Sequence, residues 1–341
     1  MKAKLLILSI LSAAALNAFA QDGIHRFVDV GHEVYESGST YNGGFNYQGM
    51  PANLTVANYG TVYIGNNITF NNEYGAAQVA VIVTDLATLV LAGSTITGGD
   101  SYLAYIGVHV TFGGSGTLHN VNISGVNMGV SVFDSTLTMN GGTITVNDAY
   151  NHAGIVCGDG SNITLANGSV IIGDVWSGNS SNKITLTGAN TALHGNFFTS
   201  DSASNAALIV DISDGALFEG AGTVSELTLG TGAIYKYTGG SLTVTGSISI
   251  GNNVTIDLSN FLNPADLEGL TILDWSGATG AEELNLNQFN FITAQSTDPG
   301  DFTIENGQII YTTAAVPEPS IWFLLGAGFG VLALLRLRRQ P

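Results

Sequence analysis

A short phrase recurs along this chain, in which a corner rich in glycine, asparagine or serine leads into a strand that alternates aliphatic residues with threonine. Its four clearest copies occupy residues 65–70, 160–165, 181–186 and 251–256. Glycine and asparagine tolerate the positive φ of a sharp corner, and period-two alternation gives a strand one buried and one exposed face. The phrase therefore predicts short strands joined by tight corners, with isoleucine, leucine or valine inward and threonine outward.

Threonine–leucine phrases between residues 117 and 229 recur at irregular intervals that match the length of one coil of a β-solenoid. This rhythm resembles the right-handed parallel β-helix of autotransporter passenger domains and pectate-lyase-like proteins. The resemblance implies an all-β fold, a right-handed parallel β-helix (β-solenoid) with terminal caps. The alternative for the same short strands is a pair of antiparallel β-sandwiches.

Composition divides the chain into five parts. We interpret residues 1–20 as a signal peptide, 21–50 as an N-terminal cap, 51–260 as the β-solenoid, 261–315 as a C-terminal cap and linker, and 316–341 as a sorting signal. Residues 263–268 carry the strongest short-helix signal of the body, and 270–275, 302–304 and 308–311 predict closing strands. Caps are expected because the ends of a solenoid must cover their strand edges.

The last part of the chain has three components. A stiff Pro-Glu-Pro peptide comes first, because each proline fixes its own φ and pushes its predecessor toward extended conformations. The apolar run 321–335 predicts one C-terminal transmembrane helix, although a full span takes about 20 apolar residues. The basic tail 336–341 then places the C-terminus in the cytoplasm and the body outside. The predicted signal residues are Val316, Pro317, Glu318, Pro319, Arg336, Arg338 and Arg339.

These three components, in this order, resemble the PEP-CTERM sorting signal of Gram-negative bacteria. The resemblance implies recognition by an exosortase, a membrane-embedded transpeptidase-like protein, and cleavage near residues 317–319. It further implies release or anchoring at the cell surface, often alongside exopolysaccharide. The alternative is a C-terminal anchor that is never processed.

The N-terminus agrees with export. Lys2 and Lys4 precede the apolar stretch 5–16, and Ala18 and Ala20 form an A-x-A cleavage site before Gln21. We therefore expect recognition by the secretion machinery and cleavage by signal peptidase. The predicted location is the membrane before processing, anchored by the C-terminal helix, and then the cell surface or the extracellular space of a Gram-negative bacterium.

Charge excludes one class of partner. The body, residues 21–315, holds 25 acidic residues but only three basic ones, Arg26, Lys183 and Lys236, so its net charge is −22. Such a body repels nucleic-acid phosphates and anionic headgroups. We therefore expect no binding of nucleic acid.

Few residues offer chemistry. The single cysteine, Cys157, excludes an intrachain disulfide and is expected to be a small buried residue. A β-helical lyase needs a base such as lysine, but Lys183 and Lys236 fit solvated strand-edge positions. A glycosidase needs two carboxylates at a suitable spacing. The nearest cluster, Asp148, His152 and Asp159, is interpreted as corner aspartates and an exposed histidine.

No metal or cofactor site is predicted. The densest grouping of metal-like residues is His25, Asp29, His32, Glu33 and Glu36, but the two histidines do not share a strand face and no zinc spacing is matched. Acidic turns at 211–214 and 298–301 would hold Ca²⁺ only loosely, because they lack an EF-hand register. No catalytic residue is therefore assigned.

The function predicted from these observations is an exported, non-catalytic cell-surface or extracellular-matrix protein, associated with biofilm exopolysaccharide. Its polar faces would contact glycans through hydroxyls, amides and the aromatic residues Tyr102, Tyr105 and Tyr150. The alternative is a polysaccharide lyase or glycoside hydrolase on the same scaffold, because fold alone does not decide function.

Overall fold

The computed structural model describes residues 26–28, 32–35, 40–42, 45–47, 50–57, 59, 61–64, 68–71, 79–98, 105–146, 153–178, 180–199, 207–280, 284–294 and 302–312. These residues form 31 β-strands and two 3₁₀ helices, Pro264–Leu267 and Leu286–Gln288. The predicted all-β class is confirmed. No helix within this part of the chain is long and apolar enough to span a bilayer, and the predicted helix 321–335 lies outside it.

Most strands are short, as the recurring phrase predicts. In chain order they are β1 (Arg26–Val28), β2 (His32–Tyr35), β3 (Thr40–Asn42), β4 (Phe45–Tyr47), β5 (Met50–Val56), β6 (Thr61–Ile64), β7 (Thr69–Asn71), β8 (Val79–Val83), β9 (Thr88–Ala92), β10 (Thr95–Thr97), β11 (Ile106–Val110), β12 (Ser115–Val126), β13 (Met128–Phe133), β14 (Thr136–Val146), β15 (Ala153–Gly158) and β16 (Asn162–Ala166). They continue with β17 (Val170–Ile172), β18 (Asp174–Ser177), β19 (Ser181–Thr187), β20 (Ala192–His194), β21 (Phe197–Thr199), β22 (Ala207–Ser213), β23 (Leu217–Glu219), β24 (Gly222–Leu229), β25 (Ile234–Lys236), β26 (Leu242–Ile250), β27 (Val254–Leu258), β28 (Thr271–Asp274), β29 (Phe289–Thr293), β30 (Phe302–Glu305) and β31 (Gln308–Tyr311).

The strands stack in parallel into three faces, and each coil contributes to all three. Face 1 contains β1, β5, β8, β11, β13, β15, β18, β21, the first halves of β24 and β26, and β28. Face 2 contains β2, β6, β9, the first halves of β12 and β14, β16, β19, β22, and the second halves of β24 and β26. Face 3 contains β3, β7, β10, the second halves of β12 and β14, β17, β20, β23, β25, β27 and β29.

This three-sided stack is a parallel β-solenoid, which confirms that part of the predicted fold. Antiparallel pairing among the described strands occurs where β4 meets β5, where β28 meets β31 and where β30 meets β31. Two antiparallel sandwiches would require mostly antiparallel pairings, whereas the described strands pair mostly in parallel. That alternative is therefore excluded for these residues.

Corners join the faces, and we number them by the faces they connect: the first corner joins face 1 to face 2, the second joins face 2 to face 3, and the third returns to face 1. The recurring phrase locates these corners with an error of a few residues. In its copy at 160–165 the left-handed residues are Asp159 (φ 56°) and Gly160 (φ 87°), while Asn162 already begins β16. In the copy at 251–256 the left-handed residue is Asn253 (φ 57°), as predicted.

Buried polar side chains tie successive coils together at the corners. The Oδ1 of Asn182, a fully buried residue, accepts hydrogen bonds from the backbone N–H groups of Gly160 and Ser161, both at 3.1 Å. Its Nδ2 donates to the Oγ of Ser177 at 3.0 Å. Because a buried polar atom without a partner is costly, these bonds fix one coil on the next.

The interior follows the predicted alternation. Ile163, Ile184 and Val254 lie inward and are at most 1% exposed, while the threonine that follows each of them points outward. Along face 3 one inward column continues from coil to coil without interruption. Its members are Ile96, Ile123, Ile144, Ile171, Leu193, Phe218, Tyr235 and Ile256.

A second column explains how the central coils stay narrow. Gly107, Gly129 and Gly154 occupy equivalent positions on face 1, and each lies opposite an isoleucine of face 3. A Cβ placed on Gly154 would lie only 2.6 Å from the Cγ2 of Ile171. The glycines therefore allow the two faces to approach each other closely. This glycine repeat was not predicted from the sequence.

Candidate functional site

Several predicted site residues lie outside the described part of the chain. They are the sorting-signal residues Val316, Pro317, Glu318, Pro319, Arg336, Arg338 and Arg339, the cleavage residues Ala18 and Ala20, and also His25, Asp29, Glu36, Tyr102, Asp148, Tyr150, His152 and the turn 298–301. His32 and Glu33 belong to β2, of which only the backbone is described. These predictions therefore stay predictions.

Cys157 is buried, as predicted. It lies on the inner side of β15 and is 1% exposed. Burial raises the pKa of its thiol to about 12, although a hydrogen bond with Ser177 acts in the opposite direction. A protonated, inaccessible thiol is a poor nucleophile, so Cys157 acts as part of the core.

Lys183 and the aspartates of the turn 211–214, considered for acid–base or calcium chemistry, have protein partners. The Nζ of Lys183 lies 2.6 Å from the Oδ2 of Asp211 on the neighbouring strand of face 2. The Oδ2 of Asp214 accepts a hydrogen bond from the Thr187 hydroxyl at 2.8 Å. Asp159 occupies the first corner with a left-handed backbone. Both aspartates of the turn 211–214 are thus engaged within the solenoid.

One charged cluster on face 3 was missed by the sequence analysis. His194, Glu219 and Lys236 are neighbours on three successive strands, in direct register. The Nδ1 of His194 lies 2.7 Å from the Oε2 of Glu219, and the Nζ of Lys236 lies 3.0 Å from its Oε1. Because the three residues are separated by 25 and 17 positions along the chain, only the coil register brings them together.

The electrostatics of this cluster favour ionised Glu219. Partial burial acts to raise the pKa of Glu219, but hydrogen bonds from Lys236 and His194 and the charges of both neighbours outweigh it, so that the pKa lies below its ordinary value. Both carboxylate oxygens are occupied by these partners. Glu219 therefore serves as the shared acidic partner of both His194 and Lys236.

Of the three aromatic residues predicted to contact glycans, only Tyr105 lies in the described part of the chain. Tyr105 is only 2% exposed, so its expected role in surface contacts is wrong; it belongs to the buried core and directly precedes β11. Instead, Trp176 and Phe198 are 43% and 39% exposed on the outer side of face 1. Their rings stack with centroids 5.1 Å apart and an interplanar angle of 28°.

Polar groups lie beside this aromatic pair at the third corner. The Oδ1 of Asp174 accepts hydrogen bonds from the backbone N–H of Asn196 at 2.8 Å and from its Nδ2 at 3.4 Å. The Oδ1 of Asn196 accepts from the backbone N–H of Ala221 at 3.0 Å. Asp174 and Trp176 flank the buried Val175 in a strand, so period-two alternation predicts that both point outward. This alternation is the sequence signal that could have identified them.

These features define the class of the protein as a three-sided parallel β-solenoid with a mixed polar and aromatic surface at its third corner. No group of three or more histidine, cysteine, aspartate or glutamate residues among those described is placed to hold a metal ion. No family model, no curated protein and no solved structure matches the chain.

Proposed function

We propose that this chain is an exported, non-catalytic protein of the cell surface or extracellular matrix, which an exosortase sorts through residues 316–341. The observation that carries the proposal is the order of three components at the end of the sequence: a Pro-Glu-Pro peptide, the apolar run 321–335 and an arginine cluster. The A-x-A site at Ala18 and Ala20 supports entry into the export route. The terminal run anchors the protein until it is processed.

The construction of the solenoid is compatible with an extracellular location. Its coils are held by backbone ladders and by buried corner bonds such as those of Asn182, so stability does not depend on disulfides. We further infer a right-handed solenoid, because parallel strands in one sheet are almost always joined by right-handed crossovers. A rod of this kind displays long polar faces to the matrix.

The ion pairs support a binding role over a catalytic one. The alternative, a polysaccharide lyase, requires a basic side chain that can accept a proton. Lys183 and Lys236 are paired with Asp211 and Glu219 at 2.6 Å and 3.0 Å. Both amino groups are thus engaged by carboxylates of the solenoid itself. Exopolysaccharide is accordingly a partner in this proposal and not a substrate.

Intact mass measurement tests the proposal most directly. The full chain is produced in a Gram-negative host with and without an exosortase, and the protein from cells and from medium is weighed. With the exosortase we expect a product that begins at Gln21 and ends near residues 317–319. Without it, we expect the product to retain Arg336, Arg338 and Arg339.

A matched pair of variants sharpens this test. Replacement of Pro317, Glu318 and Pro319 by alanine should prevent the C-terminal cleavage, whereas Thr312→Ala, a few residues earlier, should leave it intact. A wild-type chain that keeps its arginines in the presence of the exosortase would contradict the sorting proposal. Depolymerisation of polysaccharide by the purified protein would contradict its non-catalytic part.

A further inference from the structure

Two successive coils place outward-facing residues at equivalent positions around the third corner. Where the chain turns from face 3 to face 1, one coil presents an apolar, an acidic and an aromatic residue, and the next coil presents a histidine, an amide and an aromatic residue. Ile172 is in register with His194, and Trp176 with Phe198. We call this set the third-corner patch: Ile172, Asp174, Trp176, His194, Asn196 and Phe198.

Three large apolar side chains of the patch are exposed to solvent. Ile172, Trp176 and Phe198 are 43%, 43% and 39% exposed, although they lie within two coils at a single corner. Single exposed apolar residues are common on protein surfaces, but contiguous ones mark interaction sites. The stacked rings of Trp176 and Phe198, with Ile172 at the same corner, therefore point to a ligand with an apolar face.

The polar part of the patch is held in place before any ligand arrives. Asp174 is fixed by two hydrogen bonds from Asn196, and Asn196 by the backbone of Ala221. All the bonds found for the Asp174 carboxylate fall on Oδ1. An ionised carboxylate accepts about four hydrogen bonds over its two oxygens. Asp174 thus keeps acceptor capacity for hydroxyl groups, on a rigid support that reduces the entropic cost of binding.

Charge decides which hydroxyl-bearing ligand fits. His194, the one basic residue of the patch, is bonded through its Nδ1 to Glu219 at 2.7 Å, so this atom is not available to an anionic ligand. The body around it has a net charge of −22, which repels uronates and phosphates. An uncharged sugar ring meets these conditions, since it combines an apolar C–H face with hydroxyl donors.

We propose that the third-corner patch binds a neutral hexose polysaccharide, with sugar rings packed against Trp176 and Phe198 and a sugar hydroxyl donating to Asp174. This inference rests on the proposed function, because it names the matrix polymer that the exported solenoid holds. Aromatic rings supply large rigid contact area at low entropic cost, which suits a weak repeated contact along a polymer.

Affinity electrophoresis of the purified protein tests this site. Gels contain soluble neutral glucan, mannan or galactan, or polygalacturonate as the charged counterpart. We expect at least one neutral polymer to retard the protein and polygalacturonate to leave it unaffected. Retardation by none of the neutral polymers, or by polygalacturonate alone, would overturn the proposal.

Variants locate the binding surface. Trp176→Ala is expected to weaken binding about tenfold, because it removes the larger exposed ring. Phe112→Ala is the matched control, since Phe112 is 58% exposed at the first corner, and it should bind as the wild type does. Equal losses in both variants, or no loss in Trp176→Ala, would place the ligand elsewhere and overturn the assignment.

A second variant covers the case in which Trp176→Ala fails to fold. Phe198→Ala retains Trp176 as a fluorescent reporter of the patch, because Trp275, the other described tryptophan, is only 3% exposed. We expect the neutral polymer to shift the emission of the wild type and to shift that of Phe198→Ala only at higher concentration. An unchanged titration would contradict the proposal. Since purified protein is used, a failure of binding is separate from a failure of sorting.

Discussion

The central coils and the later coils share one topology but fill their interior differently. In the central coils, from β11 to β17, glycines of face 1 oppose isoleucines of face 3, as in the pair Gly154 and Ile171. In the later coils the same inward column continues with Phe218 and Tyr235. The ring of Phe197, on face 1, stacks on that of Phe218 with centroids 4.4 Å apart. The ring centroids of Phe218 and Tyr235 are 5.7 Å apart.

The comparison shows that the strand register does not depend on the size of the side chains that pack in the interior. Backbone ladders carry the register from Ile171 through Leu193 to Phe218 without a shift, although the side chains grow much larger. The cross-section must therefore adapt from coil to coil, by glycine where the faces approach and by aromatic rings where they separate. Each region should respond to substitution in its own way.

Removal of an aromatic ring from the later coils should have the largest effect. Phe218 is fully buried between Phe197 and Tyr235. We expect Phe218→Ala to lower the free energy of unfolding by about 4 kcal/mol, because it loses both burial and ring stacking and leaves a cavity. Urea denaturation followed by circular dichroism measures this loss.

Two controls decide whether the effect belongs to the later coils. Ile171→Val removes one methyl group from the same column in the central coils and should cost about 1 kcal/mol. Phe198→Ala removes an exposed ring next to the buried Phe197 and should cost much less than Phe218→Ala. Similar losses for Phe198→Ala and Phe218→Ala would contradict the described packing.

Added volume should be the more damaging change in the central coils. A Cβ on Gly154 would lie 2.6 Å from the Cγ2 of Ile171 and 3.2 Å from the carbonyl oxygen of Gly173. We expect Gly154→Ala to destabilise the protein by about 2 kcal/mol, as overpacked cores do. Thermal and urea unfolding of the purified variant would give this value.

A double mutant separates overpacking from a backbone effect. If the clash with Ile171 causes the loss, Ile171→Ala should cost less in the Gly154→Ala background than in the wild type. Gly160→Ala provides a contrast, because no atom lies near its added Cβ and only its left-handed backbone (φ 87°) would be strained. Strict additivity at positions 154 and 171 would refute the glycine–isoleucine interpretation.

One buried hydroxyl strengthens the junction of the later coils with the C-terminal end, beside the backbone pairing of β26 with β28. The O–H of Tyr235 donates to the carbonyl oxygen of Ile272 in β28 at 3.3 Å. Burial raises the pKa of Tyr235, with a smaller contribution from Tyr237, so the hydroxyl stays protonated. We expect Tyr235→Phe to cost about 1 kcal/mol, since it keeps the ring and loses the bond.

Hydrogen exchange localises this loss. Amides of β28 and β31, which pair in antiparallel fashion, should exchange faster in Tyr235→Phe than in the wild type. Amides of β12 and β14, far along the solenoid, should keep their protection. Equal acceleration in both regions would mean that the hydroxyl does not act at this junction.

The alternation of the strands predicted which side chains lie inside, and the spacing of the threonine phrases favoured a solenoid over antiparallel sandwiches. The phrase at 160–165 correctly placed Ile163 inside and Thr164 outside, since period two is a local property of a strand. The repeat of Gly107, Gly129 and Gly154 could also have been predicted from the sequence, because each glycine is followed by valine or isoleucine. It was missed because the threonine phrases of the other faces dominate the rhythm.

The candidate site was less predictable, because it depends on which coil positions coincide. Glu219 and Lys236 come together only when face 3 is in register, and coils of unequal length hide that register. The prediction for Tyr105 was wrong because aromatic character alone does not distinguish a buried ring from an exposed one. Trp176 could have been predicted to be exposed, because it follows Val175, which is buried, in an alternating strand.

The smallest predicted effect concerns the charged cluster that borders the third-corner patch. Because the folded-state pKa of Glu219 is lowered, its carboxylate stabilises the protein above the unfolded-state pKa, and this contribution is lost as the pH falls through the folded-state value. Glu219→Gln should therefore be less stable than the wild type at pH 7 by under about 1 kcal/mol, as expected for a partly exposed ion pair. The difference should shrink below about pH 4.

Glu305→Gln, an exposed change of the same charge on β30, controls for net charge in urea denaturation at each pH. A difference for Glu219→Gln that is constant from pH 3 to pH 7 would show that its contacts with His194 and Lys236 do not depend on ionisation.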